Sequence, residues 1–213
     1  MLVTSLVLLC PLAQADGAFD LKSSNLEVKV GPAALSDSDI QTVYGEKGNQ
    51  LFFLESGVQL FRTLEIDAGL GLMRETDAAV GEDSGESSGY YTRLTLLPLS
   101  LSGTVRLDVF DGQPLVPFAK GGLDYWLWTE QQNTGDGFVQ GSSLSGGKAG
   151  YHYGFGVNVL LDVFSKHRAS RAEARWGIQD SYFVVEYRVQ EMLSEDGLGF
   201  GGTAWTAGLK IDR

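Results

Sequence analysis

The sequence predicts an all-β protein, an eight-stranded antiparallel up-and-down barrel. Two observations carry this. Apolar residues alternate with polar residues or glycines in eight separate stretches, a two-residue beat that strands keep and helices do not. The connections between those stretches alternate between long and short, which places all the long loops at one end. The clearest stretch is Leu64 to Met73, where Leu64, Ile66, Ala68, Leu70 and Leu72 alternate with Glu65, Asp67, Gly69 and Gly71.

A chain of 213 residues fits one domain. With 20% charged and 43% hydrophobic residues it has the composition of a folded protein. The net charge of −11 argues against nucleic acid, whose binders need a basic stripe. Residues 1–15 read as a signal peptide, with an apolar core from Leu2 to Leu9 and a small-x-small cleavage site at Ala13-Gln14-Ala15. Residues 16–24 are then a lead-in and 25–213 the barrel. Cys10, the single cysteine, leaves with the signal, so the mature chain is expected to have no disulfide and no thiol chemistry. Beyond the signal, no stretch approaches the roughly 18 consecutive apolar residues of a membrane helix. A chain of this kind that resides in a membrane must cross it as a closed barrel.

The elements follow in order. The first strand covers Asn25 to Gly31, with Leu26, Val28 and Val30 opposite Glu27 and Lys29; Pro32 to Gln50 is a loop. Leu51 to Phe61 is the second strand, joined by Arg62-Thr63 to the third in a tight hairpin. Arg74 to Gly89 reads as a second long loop. Tyr90 to Val109 is a long fourth strand whose apolar phase slips at Leu97-Pro98, where a bulge is expected to excuse the proline. A turn at Asp111 to Pro114 leads into the fifth strand, Leu115 to Trp128, and Thr129 to Gly147 is a third loop. The sixth strand is Lys148 to Val163, followed by a helical connection around ASRAEAR between Ser165 and Trp176. Ser181 to Gln190 and Thr203 to Asp212 are the last two strands, separated by a fourth loop.

Alternation alone fits both a membrane barrel and a soluble lipocalin-like barrel with its apolar face inward. Three features favour the membrane. Gly57, Gly69, Gly71, Gly122, Gly154, Gly156 and Gly208 all fall on the polar face, where they relieve crowding in a narrow lumen. The polar face also mixes signs, as a lumen closed by ion pairs requires. The expected network is Glu27, Lys29, Glu55, Glu65, Asp67, Arg106, Asp108, Lys120, Asp124, His152, Glu186, Arg188 and Lys210. Finally, Tyr90, Tyr91, Tyr125, Trp126, Trp128, Tyr151 and Tyr153 gather toward the loop end, and Phe61, Phe110, Phe164 and Trp176 toward the turn end, as two aromatic girdles would. The fold class is therefore an eight-stranded antiparallel up-and-down transmembrane β-barrel with one short periplasmic helical connection.

Pro117-Phe118-Ala119-Lys120-Gly121-Gly122-Leu123-Asp124-Tyr125 resembles the P-[YF]-x-x-x-G-L-x-Y stretch of OmpW-like and OmpA-like small barrels. Leu94 to Asp108, with Leu161-Asp162 and Glu186-Tyr187-Arg188, is similar to a myxobacterial-type family of outer-membrane β-barrels. The resemblance spans most of the mature chain, and its motifs are structural. It implies insertion into the cell outer membrane by the barrel-assembly machinery, contact with outer-membrane lipid and lipopolysaccharide, and no defined activity. One departure stands out: the insertion signal of such proteins ends in an aromatic residue, whereas this sequence ends in Arg213.

Chemistry is less legible. His152 is the only histidine within a strand, and Ser56 or Ser100 with Asp124 could surround it as a hydrolytic triad, although no spacing supports this. His167 falls in the helical connection. Glu65 with Asp67, and Asp124 with Glu186, read as acid–base pairs only if no cation answers them. The long loops carry almost the whole net charge, which suits a solvated rim or a cation bridge to lipopolysaccharide. No calcium-loop spacing is present. The expectation is an outer-membrane barrel without enzyme activity, cofactor or metal, probing no nucleic acid and acting as a monomer, either structural or a narrow conduit for small, apolar solutes. An outer-membrane lipid-modifying enzyme and a soluble ligand-binding barrel are the alternatives.

Overall fold

The computed structural model describes residues 23–37, 40, 49–80, 87–110, 112–132, 144–164, 166–194 and 199–213. The signal peptide and most of the lead-in lie outside them. Eight strands run in chain order: β1 (Ser23–Leu35), β2 (Asn49–Phe61), β3 (Leu64–Val80), β4 (Ser87–Arg106), β5 (Leu115–Gln132), β6 (Leu144–Leu160), β7 (Asp180–Met192) and β8 (Gly202–Asp212). Each pairs antiparallel with its sequence neighbours, and β1 pairs with β8 to close the barrel. Between β6 and β7 lie a 3-10 turn (Asp162–Phe164) and the helix α1 (Lys166–Trp176), at the helical connection the sequence predicts. Closure removes every free sheet edge.

The register sets the bore. From Asn25 the pairing passes through Gly57, Asp67, Ser102, Gly122, His152, Gln190 and Gly202, and returns to β1 at Leu35, ten residues further on. A stagger of this kind tilts the strands, and eight of them leave an interior that side chains can fill. Leu26, Val28 and Val30, Ile66, Leu70 and Leu72, and Leu99, Leu101 and Val105 point outward; Leu101 is 57% exposed. The charged side chains point inward, with Glu65, Lys29 and Arg106 each 1% exposed. This is the reverse of a lipocalin-like barrel, so the soluble alternative with an apolar interior fails on orientation.

Three expectations change. First, the strands are longer at the loop end. β3 and β4 stay paired through Arg74–Thr95 and Thr76–Arg93, and β5 and β6 through Glu130–Leu144, in stretches expected to be loop. Backbone pairing does not require apolar side chains, so polar sequence marks where the apolar belt ends and not where the ladder ends. Second, β4 has no phase slip. Even-numbered residues face inward from Thr92 to Arg106, and the register with β5 runs unbroken through Leu97–Leu127 and Pro98–Trp126. Leu94 and Leu96 face inward because the loop end of the lumen is itself apolar. Third, Trp126 and Trp128 also turn inward and leave the girdle, and Trp126 is buried. Tyr91, Tyr125 and Tyr153 remain exposed at that end, with Phe61, Phe110 and Trp176 at the other. The Tyr90 and Phe164 side chains lie outside the described residues.

Candidate functional site: a layered lumen

At the loop end the lumen is closed by an apolar plug. Leu51, Phe53, Met73, Leu94, Leu96 and Trp126 come from the strands, while Ile40 and Phe200 come from the first and fourth loops. Phe200 lies stacked near Trp126, ring centroids 6.2 Å apart, and tilted against Trp128 at 6.0 Å. The described ends of the two loops are tied together. The Gly199 amide donates to Asp37 Oδ2 at 2.5 Å, and the Ser36 amide to the Gly201 carbonyl at 2.8 Å.

Below the plug, charge takes over. Lys29 Nζ lies 2.7 Å from both Glu27 Oε1 and Glu55 Oε2 and pairs more closely still with Glu186. Lys120 Nζ shares Glu55 at 2.7 Å and approaches Glu186 at 3.8 Å. Arg188 bonds Asp124 at 2.7 Å, with its guanidinium 4.6 Å above the Phe53 ring, so it joins the plug to the ionic layer. Nearer the turn end, Glu65 receives Arg106 at 2.5 Å and Lys210 at 2.6 Å, and Arg106 also reaches Asp212 at 2.9 Å. Asp67 is held by neutral donors, Asn25 Nδ2 at 2.8 Å and Thr104 Oγ1 at 3.0 Å. Beside these charges the wall is apolar, made of Val116, Phe118, Leu160, Tyr182 and Val184, with Phe118 paired to Arg106 and Tyr182 to Lys210.

Ions this deep can stay charged only if partners replace their lost hydration. Glu27, Glu55 and Glu186 each bring a carboxylate oxygen within 4.8 Å of the others, close enough for a shared cation. The Lys29 ammonium already hydrogen-bonds Glu55 and Glu186 and is ion-paired with Glu27, so the chain supplies that cation itself. The carboxylate pairs read as possible acid–base couples are divided in the same way: Glu65 and Asp67 turn to different donors, and Asp124 and Glu186 to Arg188 and Lys29.

His152 stands in a triad-like row with a different serine from those expected. Its Nε2 lies 3.0 Å from Ser102 Oγ and its Nδ1 3.0 Å from Asp124 Oδ1. Ser102 and His152 both pair with Gly122, which has no side chain to separate them. A Cβ there would meet the Leu101 carbonyl and come 2.8 Å from His152 Cε1. Ser56 bonds the Asn25 carbonyl instead. The His152 and Asp124 side chains are fully buried.

Of the expected network, Asp108 is misplaced. β4 ends at Arg106, the alternation stops there, and Asp108 sits at the turn-end mouth, 3.3 Å from Arg62. That mouth is a polar cavity of about 460 Å³ lined by Ser23, Gln59, Arg62, Asp108, Gln113 and Tyr182 among others. The expected network leaves out Asp212, which the alternation of the last strand already puts on the polar face, and the neutral members Asn25, Ser102 and Thr104. All four have the inward parity of their strands, and parity was the signal that could have found them. The His167 side chain lies outside the described residues.

No family model matches the chain, and no curated protein matches its sequence. Solved structures do match. Neisserial surface protein A superposes with a TM-score of 0.53 at 13% identity, covering 88% of this chain and 96% of that one. The outer membrane protein OprG of Pseudomonas aeruginosa gives 0.53 at 9% identity, covering 90% and 95%. Ail, the attachment invasion locus protein of Yersinia pestis, solved with the heparin analogue sucrose octasulfate, gives 0.51 at 12% identity, covering 90% and 98%. The fold is that of the small outer-membrane barrels. At these identities the likeness is one of fold, and the myxobacterial-type resemblance stays a resemblance.

Proposed function

We propose that this chain is an integral outer-membrane β-barrel with a solid interior, a non-catalytic structural component of the envelope and not a conduit. The observation that carries this reading is the stacking of an apolar plug on a paired ionic layer across the same narrow bore. Leucines, valines and isoleucines cover the outside, a surface that water would penalise at roughly 25 cal/mol per Å² and hydrocarbon would not. In this reading the belt contacts lipid and lipopolysaccharide, the barrel-assembly machinery inserts the chain, and one copy suffices because no strand edge is left unpaired. Purified protein in planar bilayers should give no stable open channels. Large, long-lived conductance steps would overturn the sealed interior, and release from membranes by carbonate wash would overturn the placement.

The Ser102–His152–Asp124 row does not favour an enzyme. A hydrolase needs a substrate carbonyl and oxyanion donors beside the serine. Here the serine is 2% exposed and its strand is paired on both sides. Lipid A mass spectra from cells with and without the protein should be identical; a shifted species dependent on Ser102 would restore the lipid-modifying reading.

A further inference from the structure

The helix α1 is the basic exception in an acidic chain. It carries Lys166, Arg168, Arg171 and Arg175 against Glu173 alone, within a protein of net charge −11. It is also unsupported. Among the described residues its only substantial packing is with the 3-10 turn before it, and Arg171, Glu173, Ala174, Arg175 and Trp176 are all exposed. An isolated helix of 11 residues is marginal in water, so this one needs a surface to lie on.

Its position says which surface. Arg213 donates to the Trp176 carbonyl through Nε at 3.2 Å and Nη2 at 2.8 Å, while the Arg213 amide bonds the Ser24 carbonyl. The Gln179 amide bonds the Asp212 carbonyl. The C-terminal end of α1 is thereby fixed to the turn-end rim where β8 ends and β1 and β7 begin. Trp176, 61% exposed, stands at that end, where Phe61, Phe110 and Phe183 are also exposed. Indoles settle at the boundary between headgroups and hydrocarbon, and cationic side chains next to such an anchor face lipid phosphates.

We infer that α1 is an interfacial clamp that binds anionic phospholipid headgroups of the periplasmic leaflet, with Trp176 as the apolar anchor and Arg171 and Arg175 as phosphate donors. This goes beyond the structural role proposed above but rests on its membrane placement. The exposed indole beside the cationic side chains favours lipid over the anionic peptides of the cell wall, because an indole is drawn to the headgroup boundary and a peptide offers it none.

The test is amide hydrogen exchange on the full-length mature protein in vesicles of phosphatidylcholine, with and without phosphatidylglycerol. Residues 166–176 should exchange several-fold more slowly when phosphatidylglycerol is present. Arg171→Gln with Arg175→Gln should abolish that difference, the two Arg→Lys changes should largely keep it, and high salt should weaken it. The strands β1 and β8 should stay equally protected throughout. Equal exchange of α1 in both lipids, or a lipid effect that survives the Gln pair, would overturn the clamp. So would Arg-dependent binding to purified peptidoglycan with no lipid effect. Unprotected strands in vesicles would instead overturn the membrane placement.

Discussion

Lys29 shows how one side chain can organise an interior. Its ammonium holds Glu27, Glu55 and Glu186 together, and removing it leaves three buried carboxylates facing one another. Lys29→Met should destabilise the vesicle-embedded barrel by about 3–5 kcal/mol, the usual cost of orphaning a buried charge. Adding Glu186→Gln should recover part of that loss in urea unfolding; no recovery would mean the three acids are not coupled through the lysine. Gly122 is the second residue on which the interior turns. A methyl group there is driven into the neighbouring strand's carbonyl and the His152 ring. Gly122→Ala should cost about 1–3 kcal/mol as an overpacked core does, with the midpoint of urea unfolding as the measurement.

At the scale of elements, β3 and β4 explain how a proline can sit in a strand with neighbours on both sides. Pro98 turns inward opposite Gly71, where a Cβ would lie 2.6 Å from the proline ring and 3.1 Å from Phe53. The pairing Leu70–Leu99 and Met73–Leu96 resumes on either side in the same register. Gly71→Ala should therefore be costly by about 1–3 kcal/mol, and much less so in a Pro98→Ala background. A double-mutant cycle with additive effects would contradict this. The turn after β6 carries a pH-dependent element. Partial burial pushes the Asp162 carboxyl up, opposed by a backbone hydrogen bond with Ser181. A carboxyl raised on folding favours the folded state at low pH, and that contribution fades as pH rises through its folded-state value. Asp162→Asn should lack this fade. Its unfolding midpoint should gain on wild type between about pH 4 and about pH 7, and an unchanged difference would argue against it.

For the whole molecule, closure at two levels matters more than either alone. Phe200 seals the plug from a loop, so Phe200→Ala should cost about 3–5 kcal/mol yet leave the barrel non-conducting. The ionic layer beneath it still spans the bore. Channels from that variant alone would show that the plug is the only seal. The tie from Asp37 to Gly199 joins the residues just after β1 to those just before β8, which links the loop ends of those two strands. The helix at the other end is held through Arg213 in a similar way, so both rims are fastened near the seam where the barrel closes.

Much of this was legible from residues alone. Alternation in Leu64 to Met73 and its counterparts determines strand number, antiparallel order and which side chains share a face, because successive side chains in a strand must point oppositely. The mixed signs on the inner face also imply pairing, since no ion is left alone in a narrow bore. Which ion meets which was beyond reach: Lys29 finds Glu186 across 157 positions of sequence, and only the ten-residue stagger at closure sets those heights. The registers of β4 with β5 and of β5 with β6 put Ser102, and not Ser56 or Ser100, beside His152. Alternation also misled where it equated apolar with outward. Leu94, Leu96 and Trp126 face inward because the loop end of the lumen is dry, and hydrophobicity alone cannot tell a lipid exterior from an apolar plug. Periodicity is local and survives in sequence; the depth at which each wall meets the opposite one is a property of the closed cylinder, and tertiary structure alone decides it.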